Sequence, residues 1–233
     1  MLRPQLAAVA PALLAALFAA SAPSAARAGQ VYVANLQPLN DSGVSGTARL
    51  TLNDDGTLTV DVNATNLEAG QVHPQHIHGF LNGQDSVTPP RSSGGDAASE
   101  NGTLISVAEG APFYGPILLP LEPTPSGATV NFSATFDDAQ ARQLSATAAE
   151  MLPGLATEIS GLSDLTPLDL REIVLHGMTV DGQYVATLPV ASGTITAEQS
   201  TAIPLPPAAW AALTTVAGFG GLSLLRRRLA CRA

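Results

Sequence analysis

Four histidines occur in the 233 residues, and three of them fall in the segment GQVHPQHIHGFLNG, at His73, His76 and His78. The fourth, His176, lies in REIVLHG. Neutral imidazole is a nitrogen donor that suits copper or zinc, whereas magnesium and calcium take oxygen ligands. His76 and His78 are separated by one residue, so on an extended strand they share a face and Ile77 points to the other. Two such rings stand about 7 Å apart along the strand, close enough to converge on one ion. His73 is three positions from His76 and falls on the opposite face of a regular strand, so it reads as a hydrogen-bonded structural residue. His176 is the remaining candidate for a third ligand; there Ile173 and Leu175 share one face, and Val174 and His176 the other. Each ring also has a structural alternative. His76 and His78 could be a packed or exposed pair without metal, and His176 a core histidine satisfied by a carbonyl. No serine or cysteine is joined to a histidine in a recognisable nucleophile motif, so hydrolase chemistry has no support and no catalytic residue is assigned.

The elements that must carry these rings read as β. VYVANLQPLN opens with an apolar alternation. TARLTLNDDGTLTVDVNATNL sets Ala48, Leu50 and Leu52 against Leu58, Val60, Val62 and Ala64 across Asn53–Gly56, whose Asn, Asp and Gly tolerate the positive φ of a tight hairpin. Asp54 and Asp55 therefore read as turn formers rather than calcium ligands. QHIHGFL continues as a strand. Asn82 to Gly102 is rich in Gly, Ser, Pro and Asp and reads as a long loop. TLISV is expected to be a short strand, YGPILLPLEP an extended segment broken by prolines, and ATVNFSATF a further strand. DDAQARQLSATAAEMLPG has an acidic start at Asp137, helical apolar spacing and a Pro153–Gly154 stop, which predicts one short helix. REIVLHGMTV and QYVATLPVASG return to strands. The fold class expected is mainly β, an antiparallel Greek-key sandwich or barrel with one short helix.

Both ends read differently. Residues 1–28 carry Arg3, an apolar run from Leu6 to Ala20 and small residues at Ala26 and Ala28, the layout of a secretory signal peptide. Near the other end, Ala208 to Leu225 is 18 residues without a charge, long enough to span a bilayer as a helix, with Arg226, Arg227 and Arg228 beyond it on the cytoplasmic side. The expected division is a signal peptide at 1–28, a β domain at 29–202 and a tail at 203–233. The β domain holds four arginines against nineteen acids, a balance of −15, and the chain has no lysine. Such a surface excludes nucleic acid and anionic lipid as partners. The single cysteine, Cys231, lies in the tail, so the domain has no internal disulfide.

The tail resembles the C-terminal sorting signals of exosortase-processed bacterial proteins, the PEP-CTERM group and its VPLPA-type variant. The matching parts are a proline motif at IPLPP with Pro204, Pro206 and Pro207, then the apolar helix, then the arginine cluster. The resemblance implies an exosortase-type processing enzyme as partner, a membrane-held intermediate, and an exported protein that faces outward or is released to the surface. HPQHIHG with the later VLH resembles the copper half of copper/zinc superoxide dismutases. That resemblance implies copper, with zinc as second choice, held by His76, His78 and His176, and a loop-packing role for His73. The chain departs from that pattern: no histidine lies between Gly79 and Leu175, the subloop disulfide is impossible, and no guiding arginine follows His176 before the tail. Arg171 precedes it by five residues. The HIHG motif with its following loop also resembles the CHRD domain of extracellular proteins, from about Val31 to Ile195. That resemblance implies association with surface proteins or extracellular polysaccharide. Two roles follow: an exported surface or matrix module with a three-histidine site, or a copper-binding redox protein with dismutase-like activity.

Overall fold

The computed structural model describes residues 29–90 and 104–198. The signal segment, the proline motif, the apolar run at 208–225 and the arginine cluster lie outside the described residues. Among the described residues no helix is long and apolar enough to cross a membrane.

Among the described residues, nine strands form one antiparallel sheet: β1 Gln30–Pro38, β2 Ser45–Leu52, β3 Leu58–Thr65, β4 Gln75–His78, β5 Ile117–Pro120, β6 Thr129–Phe136, β7 Glu172–Val180, β8 Gln183–Thr194 and β9 Thr196–Ala197. The order is β5-β4-β7-β8-β1-β2-β3-β6, with β9 on β1. The expected sandwich or barrel is thus one continuous sheet that curls. β1 is the corner: its first seven residues pair with β2, and Gln37 and Pro38 pair with Ser192 and Ala191 of β8. The interior of the curl is apolar. Alternate residues of β3 (Leu58, Val60, Val62, Ala64) meet Ile77, Ile173 and Leu175 of the other half. Burial of this kind stabilises by about 1.5–3 kcal/mol for each large side chain.

The β2–β3 hairpin forms as its sequence dictates. The Asn53 and Thr57 backbones bond across the turn at 2.9 Å, and Asp55 accepts from the Thr57 amide at 3.0 Å. The helix expected after Asp137 is α2, Asp138–Met151, with Asp137 and Gln140 closing a capping box. It packs beside β5 through Ala148, against Ile117 and Ala156.

Two expectations are corrected. The described part of TLISV, residues 104–107, is not a strand: Ser106 in it caps a second helix, α1 Val107–Tyr114, through a capping box with Glu109. Gly110 and Pro112 inside α1 are poor helix formers and hide it from propensity, whereas the Ser-x-x-Glu pair is the readable signal. Among the described residues the fold therefore has two α-helices, and two short 3-10 turns at Leu162–Leu165 and Leu168–Leu170, rather than one helix.

Candidate metal centre

The site sits on the outward face of the β5-β4-β7 half of the sheet. β4 pairs with β7 so that His76 lies opposite Val174 and His78 opposite Glu172. Period two then puts His76, His78, Glu172, Val174 and His176 on one face, and sends Ile77, Ile173 and Leu175 into the core. His176 stands two residues beyond Val174, and its amide bonds to the Pro74 carbonyl at 2.8 Å. It is therefore the diagonal neighbour of His76.

The β7–β8 register shifts on both sides of His176, between Leu175 and His176 and again before Met178. Bulges of this kind re-aim a side chain and deepen local twist. Gly177 makes the bulge feasible. Its φ is +107°, and a Cβ there would overlap the Tyr184 hydroxyl.

The three rings come together. Ring centroids lie 5.5 Å apart for His76–His78, 5.0 Å for His76–His176 and 5.8 Å for His78–His176. Each contributes one ring nitrogen to a group lying within 4.8 Å of one another. His73 stands outside this group. It is fully buried, its ring nitrogens facing the carbonyls of Glu68 at 3.0 Å and His176 at 3.3 Å.

The hydrogen bonds fix which nitrogens are free. His78 Nδ1 meets the Gly115 carbonyl at 2.9 Å, and His176 Nδ1 meets the Thr187 carbonyl at 2.7 Å. A carbonyl only accepts, so each Nδ1 carries the proton and donates it, leaving Nε2 with its lone pair. Both Nε2 atoms are buried without a hydrogen-bond partner, and so is Nδ1 of His76. Buried polar atoms are normally satisfied, so three orphans on adjoining rings call for an acceptor of lone pairs. A cation with nitrogen affinity fits that requirement, and the carbonyl partners are the outer hydrogen bonds that orient metal-ligating histidines.

Burial keeps the rings neutral. It pushes His78 down to about 3 and His176 to about 4, in each case against the opposing effect of the carbonyl bond. His76 is held well below the ordinary imidazole range by burial first, and then by the neighbouring His176 and His78 rings. Neutral imidazole is the form that binds metal.

α1 closes the site behind His78. The Tyr114 ring meets the His78 ring edge-on at 4.8 Å, and the next residue supplies the Gly115 carbonyl.

Two residues that the sequence reading passes over also belong to this face. Glu172 is fully buried, accepts the Thr88 hydroxyl at 2.6 Å, and is pushed up to about 7 by burial, against the hydrogen bond of Thr88. Tyr114 is pushed above the ordinary phenol range by burial and then by Glu172. Extending the alternation of REIVLHG two residues back from Val174 finds Glu172. Nothing local points to Tyr114, which arrives through α1. Arg171 takes no part in the cluster: its guanidinium donates to the carbonyls of Leu165, Phe80 and Asp164.

No protein-family model matches the chain, and no curated protein is significantly similar to it. Among solved structures it is similar to superoxide dismutase 5 of Candida albicans. The Cu(II) form is 15% identical, with 76% of this chain and 98% of that chain covered and a TM-score of 0.35. A glutamate-to-glutamine variant of the same protein gives 14%, 77%, 99% and 0.35. An aspartate-to-asparagine variant gives 16%, 76%, 98% and 0.36.

Proposed function

We propose that this chain is an exported copper-binding β protein in which His76, His78 and His176 hold the metal. The observation that carries the proposal is the set of three buried, unpartnered ring nitrogens on rings whose nitrogens gather within 4.8 Å. Three neutral nitrogen donors fit copper, and then zinc, in the usual order of affinities. When bound, copper supplies one-electron redox chemistry, which zinc does not.

The chain's own residues do the rest. The Gly115 and Thr187 carbonyls hold the Nδ1 protons of His78 and His176, which presents both Nε2 lone pairs without a tautomer change. The depressed imidazole basicities keep all three donors from competing protonation at neutral pH. Tyr114 and the end of α1 exclude water on the His78 side. Export, sorting through the tail and a place at the cell surface are proposed on the sequence patterns alone.

The test is metal analysis after copper and zinc loading of the wild type, His78→Ala and His176→Ala, with copper paramagnetic resonance on the loaded samples. The wild type is expected to keep copper through desalting with a three-nitrogen signature, and both variants to lose it. Equal copper in all three would overturn the proposal. A superoxide assay on the loaded wild type then decides whether the redox chemistry extends to dismutation.

A further inference from the structure

A cavity of about 110 Å³ opens onto two of the three rings. His76 and His176 line it, and His78 is not among its walls. The other walls come from separate parts of the fold: Val107 begins α1, Ile117 begins β5, Leu152 and Leu155 follow α2, and Ala186 lies on β8. Beyond the histidines, the single polar side chain is that of Thr187, and no wall residue is Asp, Glu, Lys or Arg.

A site for a small inorganic anion has no need of apolar walls from four elements, and besides the metal it gains from a cationic side chain nearby. The three described arginines are engaged elsewhere: Arg49 with Glu198, Arg142 with the Ser160 carbonyl, and Arg171 with three carbonyls. What these walls reward is apolar surface. Away from the metal, a charged group lodged among them would lose its water without a partner, because no wall residue carries a charge. The unpartnered nitrogens of His76 and His176 mark this as a ligand site rather than a packing gap.

We propose that the cavity takes a small organic molecule with an apolar body of about four to six heavy atoms and one donor atom, judged against the ~150 Å³ that holds benzene. The donor would face the metal that His76, His78 and His176 hold, and the body lies against Val107, Ile117, Leu152, Leu155 and Ala186. The donor end rests on the copper reading above; the body end rests on the walls alone.

N-methylimidazole and N-ethylimidazole test it with the full chain, metal-free and copper-loaded. Coordination is read from the copper d–d band and paramagnetic resonance. Occupancy of the cavity is read from the methyl NMR shifts of Val107, Ile117, Leu152 and Leu155. The reference is copper(II) diethylenetriamine in water, which offers three nitrogens and no walls. The protein is expected to gain about fourfold in affinity for the added methylene relative to that complex, with shifts at those four residues. Leu155→Asp is expected to erase most of the gain while copper stays bound. If that variant does not fold, the wild-type series decides alone. Copper uptake with affinity independent of chain length, or with unmoved methyls, overturns the cavity assignment. Methyl shifts and the full increment on a chain that takes up no copper overturn the copper reading and uphold the cavity.

Discussion

Glu172→Gln is expected to make the metal-free protein markedly more acid-labile, because two opposed titrations meet on one face of the sheet. His78 and His176 have folded values of about 3 and about 4 against 6.5 for a free imidazole. Between those limits the unfolded chain binds the extra proton, so stability falls as the pH drops below 6.5. At about 1.4 kcal/mol for each pH unit and ring, moving from pH 7.5 to pH 5 costs about 2 kcal/mol per histidine, or about 4 kcal/mol for the two. His76 shifts in the same direction and adds to the loss.

Glu172 works the other way. Its folded value of about 7 lies above 4.5, so the folded state binds the proton first and gains stability as the pH falls through 7. Over the same interval that gain is roughly 2–3 kcal/mol. The wild type should therefore lose only about 1–2 kcal/mol from the His78, His176 and Glu172 terms, whereas Glu172→Gln should lose about 4 kcal/mol. Glutamine keeps an oxygen for the Thr88 hydroxyl, so the variant is close to isosteric. Urea melts of both metal-free proteins at pH 7.5 and pH 5 measure the difference directly. Equal losses in the two proteins, or a wild type that gains stability on acidification, would refute the reasoning.

Gly177→Ala is expected to cost about 1–3 kcal/mol, because it forces a side chain to a φ of +107°. It should also weaken copper retention by moving His176, which melts and metal analysis of the same sample would read together. Asp137→Ala removes the cap of α2 and should cost about 1 kcal/mol while leaving copper content unchanged, since that end of the helix touches none of the three rings. His76→Leu deletes an unpartnered buried nitrogen and no hydrogen bond to it, so the metal-free protein should gain about 1–3 kcal/mol while losing copper. Thermal melts with and without copper decide this last case, and unchanged or lowered metal-free stability would count against the orphan-nitrogen account.

Much of the fold was legible because its signals are local. The Asn53–Gly56 turn, the alternation of β3 and the Asp137 cap each decide their structure within a few residues. That His76 and His78 share a face is likewise written in period two. The arrival of His176 beside them is not. It depends on β4 finding β7 across nearly a hundred residues, in a register where His78 meets Glu172, and then on a bulge at Gly177 that no alternation announces. α1 escaped for a different reason, since Gly110 and Pro112 lower its propensity and tertiary contact through Tyr114 and Gly115 has to supply the rest. The curl of the sheet was less legible. A sandwich and a single curled sheet share the same strand alternation, and only the two-residue pairing of Gln37 and Pro38 with β8 distinguishes them.

The site and the stability of the domain pull against each other. Two adjacent strands could have buried this face with aliphatic side chains at no polar cost, as they do on the opposite face with Ile77, Ile173 and Leu175. Instead the outward face carries three imidazoles, each with one buried nitrogen that none of the described residues satisfies. At about 1–3 kcal/mol for each unsatisfied buried group, the metal-free arrangement gives up an amount comparable to the 5–15 kcal/mol that holds an ordinary domain together. The carbonyls of Gly115 and Thr187 could have been left to water, yet they are spent on holding two of those rings in the tautomer that leaves the lone pair free. A packing role for the histidines accounts for neither choice. A bound cation, as proposed above, would account for both, because it would satisfy the three nitrogens at once.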